Sequence, residues 1–273
     1  MMDYRFDRVV IKVGSNVLTR GDGRLDIARM AEIVSQIAAL REHGVEVILV
    51  SSGAVASGRG VLPVSEHLDE VSERQLYSAV GQARLINRYY DFFSSYGIVC
   101  GQVLTTKESL MLEDHYLNQR NCMSVMLEHG VIPVINENDT VSVTELMFTD
   151  NDELSGLVAS MMQARCLVLL SNVDGVYDGS PDSPGSRLLR EVVPGEDLSG
   201  YIGETKSSFG RGGMLAKCRI AIQTASKGIE TVIANGRREN IILSVLSDSY
   251  ADVPCTRFLP AESGYSSLQS GTC

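Results

Sequence analysis

The stretch 132–156, IPVINENDTVSVTELMFTDNDELSG, sets Glu137, Asp139, Glu145, Asp150, Asp152 and Glu153 behind a short apolar run. Like charges at that density repel one another, so the segment needs water or cations to hold it. A solvated acidic surface loop meets the need with water. Magnesium, lysine ammonium groups or the amine of a substrate would meet it with positive charge. Three other stretches carry matching chemistry. KVGSN (12–16) places Lys12 at the end of an apolar run, followed by a glycine that lets backbone approach a ligand. SSGAVASGRG (51–60) supplies Ser52, Gly53 and further small residues whose amides and hydroxyls suit an anion. FGRGGMLAK (209–217) puts glycines ahead of a helical pattern and Lys217 in its first turns, within reach of a phosphate. Each also has a plain reading: a lysine snorkelling to the surface, a flexible turn, a helix start. None of them is the phosphate loop G-x-x-x-x-G-K-[ST].

The elements that must position these residues alternate between strand and helix. RVVIKVG, VEVILV, IVCGQVL, VIPVI, CLVLLS and IETVIA read as strands. They are continuous apolar runs, as expected when both faces of a sheet are covered. Between them, DIARMAEIVSQIAALREHG places Ile27, Met30, Val34 and Ile37 on one helical face, with Asp26 as N-cap and Gly44 as the stop. Further helices are expected over about 71–96, 114–129, 151–164 and 213–227. The pattern predicts an α/β fold, a three-layer α/β/α sandwich around a mainly parallel sheet. In such sheets ligands sit at the carboxyl ends of the strands, which here are 14–16, 51–53, 136–139 and 171–174. The stretch 177–186, YDGSPDSPGS, reads as a turn-rich excursion, and 261–273 as a frayed polar tail.

With 273 residues, 44% hydrophobic and 21% charged, the chain can bury a substantial core. Its formal net charge of −10 argues against a nucleic-acid or anionic-membrane binder, which needs a basic face. Placed lysines and helix N-termini still leave room for an anionic substrate. Cysteines 100, 122, 166, 218, 255 and 273 form no Cys-x-x-Cys pair, so buried reduced thiols are expected. The histidines at 43, 67, 115 and 129 match no zinc spacing, and His43 and His129 read as helix C-terminal residues. No metal site formed by protein ligands is expected. With no signal-peptide pattern and no membrane-length apolar run, the expectation is a soluble cytoplasmic protein.

Together, VVIKVGSNVL, VSSGAVASGRG, AVGQARL, VIPVINENDTV, TDNDELSGLVA, DGVYDGSP and FGRGGMLAK resemble the amino acid kinase family, and within it the members acting on glutamate. The order and spacing hold to about residue 260, and INEND followed by DND points to glutamate as acceptor. The resemblance implies transfer of the γ-phosphoryl of ATP, with Mg2+, to the side-chain carboxylate of L-glutamate. The product would be L-glutamyl 5-phosphate, opening proline biosynthesis. It implies that Lys12 and Lys217 stabilise the phosphates and that Asp152 holds their ammonium groups. Ser52, Gly53, Asp139 and Asn151 would bind glutamate, Asp139 pairing with its amine. Ser171, Asn172 and the run Arg211, Gly212, Gly213, Met214, Leu215, Ala216 and Lys217 would hold the nucleotide, together with Lys12. Glu145 and Glu153 are expected to face water.

The same resemblance implies one kinase domain over 1–260, with a glutamate-binding lobe over about 1–165 and an ATP-binding lobe over about 166–260. It implies feedback inhibition by proline and a homo-oligomer. Many bacterial members carry a C-terminal PUA domain, and the expectation here is a kinase-only form. Ser171–Asn172 departs from the family's common threonine–aspartate pair, and Arg211 from a small residue. Other readings stay open: a sister kinase acting on aspartate, acetylglutamate, carbamate or UMP, a catalytically silent ligand-binding protein, and a dinucleotide-dependent oxidoreductase. The last lacks G-x-G-x-x-G in its first βα turn.

Overall fold

Six apolar runs pair side by side as parallel strands, which places both faces of the sheet under helices. The computed structural model describes residues 4–62, 68–141, 150–181, 183, 185–196, 198, 213–249 and 252–261. The strands are β1 (Arg8–Val13), β2 (Glu46–Ser51), β3 (Cys100–Thr105), β4 (Ile132–Glu137), β5 (Cys166–Ser171), β6 (Glu191–Val192), β7 (Glu230–Asn235) and β8 (Cys255–Phe258). They lie in the order β3-β4-β2-β1-β5-β7-β8-β6. All pairs are parallel except β7 with β8. β1 is central: Lys12 sits level with Val50 of β2 and Leu169 of β5.

The helices are α1 (Ser15–Leu18), α2 (Ile27–Glu42), α3 (Ala54–Arg59), α4 (Glu70–Ser94), α5 (Lys107–Met111), α6 (Glu113–Glu128), α7 (Asn151–Met161), α8 (Met214–Ala225) and α9 (Ile241–Leu246). Alternation along β1 sends Val9, Ile11 and Val13 into a core shared with α1, α2, α4 and α9. Val10 faces the other way, into a core shared with α6, α7 and α8. Lys12 shares the parity of Val10, so its side chain belongs to the α7–α8 side of the sheet. The three layers are those the strand–helix alternation implies.

Local signals set the long helices. The Asp26 carboxylate accepts from Arg29 N at 3.2 Å to open α2, and His43 caps its end before Gly44 turns the chain at φ +79°. His129 closes α6 in the same way. Cys100, Cys166, Cys218 and Cys255 are buried free thiols, whereas Cys122 is exposed on α6, so burial does not extend to every described cysteine. Cys273 and the tail from 262 lie outside the described residues. β3 is buried only at Cys100 and Thr105, with Gln102 and Leu104 exposed, because it forms the sheet edge, which corrects the expectation of continuous burial there. The short elements α1, α3, α5, α9, β6 and β8 had no periodic signal. They are held by neighbours, as β8 is by its antiparallel ladder to β7.

Candidate active site

Lys12 leaves the sheet one residue before the carboxyl end of β1, and it is 4% exposed, so it does not snorkel to the surface. Its Nζ lies 2.6 Å from Asp152 Oδ1. Lys217, in the first turn of α8, reaches the other oxygen: Nζ donates to Asp152 Oδ2 at 2.9 Å. Asp152 itself is fully buried in the first turn of α7. One carboxylate thus joins two ammonium groups separated by 205 positions in the chain. Burial alone would raise the Asp152 pKa; the two lysine charges outweigh it and hold the group at about 2.

Three backbone features make the triad possible. The Asp150 carboxylate caps α7, accepting from Asp152 N at 2.8 Å and Glu153 N at 3.3 Å, and so orients the first turn. Gly14 leaves space beside the cation, since a Cβ there would come within 3.3 Å of Lys12 Nζ. Gly156 lets α8 lie close on α7, because its Cβ would meet Ile220 and Thr224 of α8 at 3.0 Å. Asp150 Oδ2 is buried without a hydrogen-bond partner among the described residues. Burial and the nearby Asp152 charge push the Asp150 pKa up, against the opposing pull of Lys12 and Lys217.

Beside this triad opens a cleft of about 920 Å³, whose lining includes Ser52, Gly53, Arg74, Asp139, Asp150 and Asn151. Gly53 takes φ +108°, a conformation L side chains rarely adopt, and starts α3. Asn151 Nδ2 donates to Ser52 Oγ and to Asn136 Oδ1, both at 2.9 Å. Asn136 Nδ2 in turn donates to Gln82 Oε1 at 2.8 Å. Asp139 is 5% exposed and already engaged: Arg74 Nε donates to its Oδ1 at 2.6 Å and Ser78 Oγ to its Oδ2 at 2.8 Å. Arg74, Ser78 and Gln82 stand at i, i+4 and i+8 on α4, one stripe aimed at the end of β4. The sequence reading missed Arg74 and Ser78 as site residues, whereas Asn136 lies in the strand end 136–139 that it picked out. The available signal was that four-residue spacing of polar groups within a helix, part of which lies in AVGQARL.

The acidic segment that opened the question is therefore not a solvated loop where it is described. Glu137, Asp139 and Asp152 are all buried against cations or hydroxyls. Glu153 differs from its expected water-facing position, since it is half-buried and pairs with Lys107 at 2.6 Å. Glu145 lies outside the described residues.

On the other side of the triad, Ser171 ends β5, and Asn172 follows it, exposed. Gly213 precedes α8 with no side-chain cap, and Met214, Leu215 and Ala216 form the first turn that leads to Lys217. Leu215 is exposed, while Met214 packs against the core. Arg211 and Gly212 lie outside the described residues. At the neighbouring strand ends Arg238 makes two bonds to Asp174, at 2.6 and 2.7 Å, and Asn235 adds a third at 3.1 Å. The Arg238 hydrogen bond leads in holding the Asp174 pKa below the usual carboxylate range. This clamp was not foreseen, because nothing local links 174 to 238.

Paired lysines at the carboxyl edge of a mainly parallel α/β sheet make a site suited to a polyanionic ligand. The model of the amino acid kinase family matches residues 7–235, and the chain belongs to that family. It is 59% identical, over 98% of its length, to the Glutamate 5-kinase of Bacteroides thetaiotaomicron, and spans 74% of that relative. It is 49% identical, over 88% of its length, to the Glutamate 5-kinase of Chlorobaculum tepidum, and spans 66% of it. In fold it is similar to the UMP kinase of Ureaplasma parvum, with TM-score 0.63 and 17% identity, covering 93% of this chain and 99% of that one. No helix among the described residues is long and apolar enough to cross a membrane.

Proposed function

We propose that the chain transfers the γ-phosphoryl group of ATP to the side-chain carboxylate of L-glutamate, the reaction in the name of the two relatives above. The observation that carries the reading is the meeting of Lys12 and Lys217 on the single buried carboxylate of Asp152, next to a polar cleft. A glutamate side chain, with a pKa near 4.3 in water, is already ionised at neutral pH and needs no general base. The barrier is the approach of one anion to another, so positioning and cation stabilisation are the tasks left to the protein.

Each lysine ammonium has three donors. Asp152 takes one from each and holds the two like charges near one another, so that both can face the oxygens of the transferring group. Asn151, donating to Ser52 Oγ at 2.9 Å, leaves the Ser52 hydroxyl proton to turn toward the acceptor carboxylate and orient it. Asp139 receives the substrate ammonium at the far end of the cleft. Ser171, Asn172 and the amides of the first turn of α8 take the nucleotide and its phosphates. Among the described residues no three His, Cys, Asp or Glu side chains gather as a metal cage. Asp150, whose Oδ2 is buried without a partner among the described residues, would be the protein carboxylate to hold Mg2+. When bound it neutralises phosphate charge. The acceptor lobe spans about 1–165 and the nucleotide lobe about 166–260, and the acyl phosphate product feeds proline synthesis.

The test is ADP release that depends on both ATP and L-glutamate, with the acyl phosphate trapped by hydroxylamine as a hydroxamate. Turnover confined to aspartate, acetylglutamate, carbamate or UMP would move the chain to another acceptor. No turnover with any of them would make it a ligand-binding protein.

A further inference from the structure

The acceptor end of the cleft contains a cation that the scheme above does not use. Arg74 stands on α4 with its Nε and Nη2 edge turned to the end of β4, where Nε meets Asp139 Oδ1 at 2.6 Å and Nη2 meets Glu137 Oε2 at 2.7 Å. The two carboxylates are buried, at 6% and 2% side-chain exposure, while the Arg74 side chain keeps 21% and lines the cleft. The guanidinium and both carboxylates line the cleft where a substrate would lie. A guanidinium is a planar fork of five N–H donors. With one edge spent on the acids, the Nη1 edge carries donors that no described side chain or carbonyl accepts. On Asp139, Arg74 meets Oδ1 with both Nε and Nη2, and Ser78 takes one site on Oδ2. A carboxylate oxygen offers about two such sites, so Oδ2 keeps room for another donor.

We propose that Arg74 is a specificity-determining residue of the acceptor site, reading with Asp139 the zwitterionic head of an α-amino acid. The Nη1 edge of Arg74 donates to the substrate's α-carboxylate, and Asp139 accepts from its α-ammonium. The two substrate charges lie about one bond apart from their shared carbon, and the protein presents the complementary pair, guanidinium beside carboxylate, already hydrogen-bonded and so preorganised. Lysine would not serve, because an ammonium group is a compact point charge without a second planar edge. The inference rests on the acceptor reading above and adds the group that recognises the α-carboxylate.

The experiment compares wild type with Arg74→Lys and Arg74→Gln on L-glutamate, on glutarate, which lacks the α-ammonium, and on 4-aminobutyrate, which lacks the α-carboxylate. Where an analogue turns over too slowly, its Ki against glutamate supplies the same ratio. Arg74→Lys is expected to lose about 10- to 100-fold in kcat/KM for glutamate, the value of one charge-assisted hydrogen bond. The loss falls in the glutamate KM, with KM for ATP held. For 4-aminobutyrate the loss is small, so the wild-type preference for glutamate over this analogue collapses by the same factor. Equal losses on all three acceptors would make Arg74 only a tie for Glu137 and Asp139 and would overturn the proposal, as would unchanged ratios. Wild type that turns over no glutamate overturns the acceptor reading itself. Thermal unfolding of each variant separates loss of recognition from loss of fold.

Discussion

Asp152 compensates two ammonium groups with one carboxylate, and its protonation state decides whether they stay together. Its folded pKa is depressed to about 2. Its contribution to stability is therefore complete above the unfolded value of about 3.9 and is lost as pH falls toward 2. That shift amounts to on the order of 2 kcal/mol. Asp152→Asn is expected to flatten this acid limb of the stability profile, read by denaturant midpoints between pH 5 and 2, and to abolish most turnover. Asp150 has the opposite sign: its raised pKa costs stability above the unfolded value, and the cost disappears on acidification. Asp150→Asn keeps the helix cap, so it should be neutral or stabilising at pH 7, while Asp150→Ala should lose about 1 kcal/mol with the cap. Lys12→Ala should cut kcat by about 10²–10³-fold with KM for glutamate little changed, as for one lost preorganised donor. Retained turnover in that variant would remove Lys12 from the chemistry.

The cleft wall depends on two helices meeting at glycine. A Cβ on Gly81 of α4 would lie 1.8 Å from Ala54 O and 2.5 Å from Gly58 N, both backbone atoms of α3. A Cβ on Gly58 would collide with Tyr77 O at 2.0 Å. Backbone cannot swing aside as a side-chain tip can, so Gly81→Ala must part α3 from α4 at a cost of about 1–3 kcal/mol. Because α3 starts at Gly53, beside Ser52, and α4 carries Arg74, the same displacement should raise KM for glutamate more than KM for ATP. Thermal unfolding together with the two KM values checks this, and an equal rise in both would mean that the helices do not shape the acceptor end alone.

Across the whole molecule, a buried charge cluster ties the N-terminal segment to the far edge of the sheet. Glu230, 4% exposed on β7, receives Arg5 at 3.1 and 3.0 Å and also Arg257, which is 1% exposed on β8. Arg257 further donates to Val245 O at the end of α9. Glu230→Ala takes from the buried Arg257 guanidinium the carboxylate it is paired with and should cost about 3–5 kcal/mol. The expected signature is a lower denaturation midpoint with KM for both substrates unchanged in the protein that remains folded. A shift in KM would mean that this edge communicates with the cleft.

By itself the sequence determined the order of the long elements, the parallel character of the sheet and the end of it that carries chemistry. These follow from local causes: apolar runs of strand length, Asp26 as an N-cap, Gly44 as a stop, and the tendency of α/β sheets to place ligands at strand termini. The resemblance of its motifs added Lys12, Asp152 and Lys217 as partners. Only the tertiary structure decided that Asp139 is held by Arg74 and Ser78, that Glu153 pairs with Lys107, that Asp174 is clamped by Arg238, and that β8 runs antiparallel. Those contacts join residues far apart in the chain, and no local propensity or periodicity encodes which distant charge will lie opposite another once helices and sheet have packed.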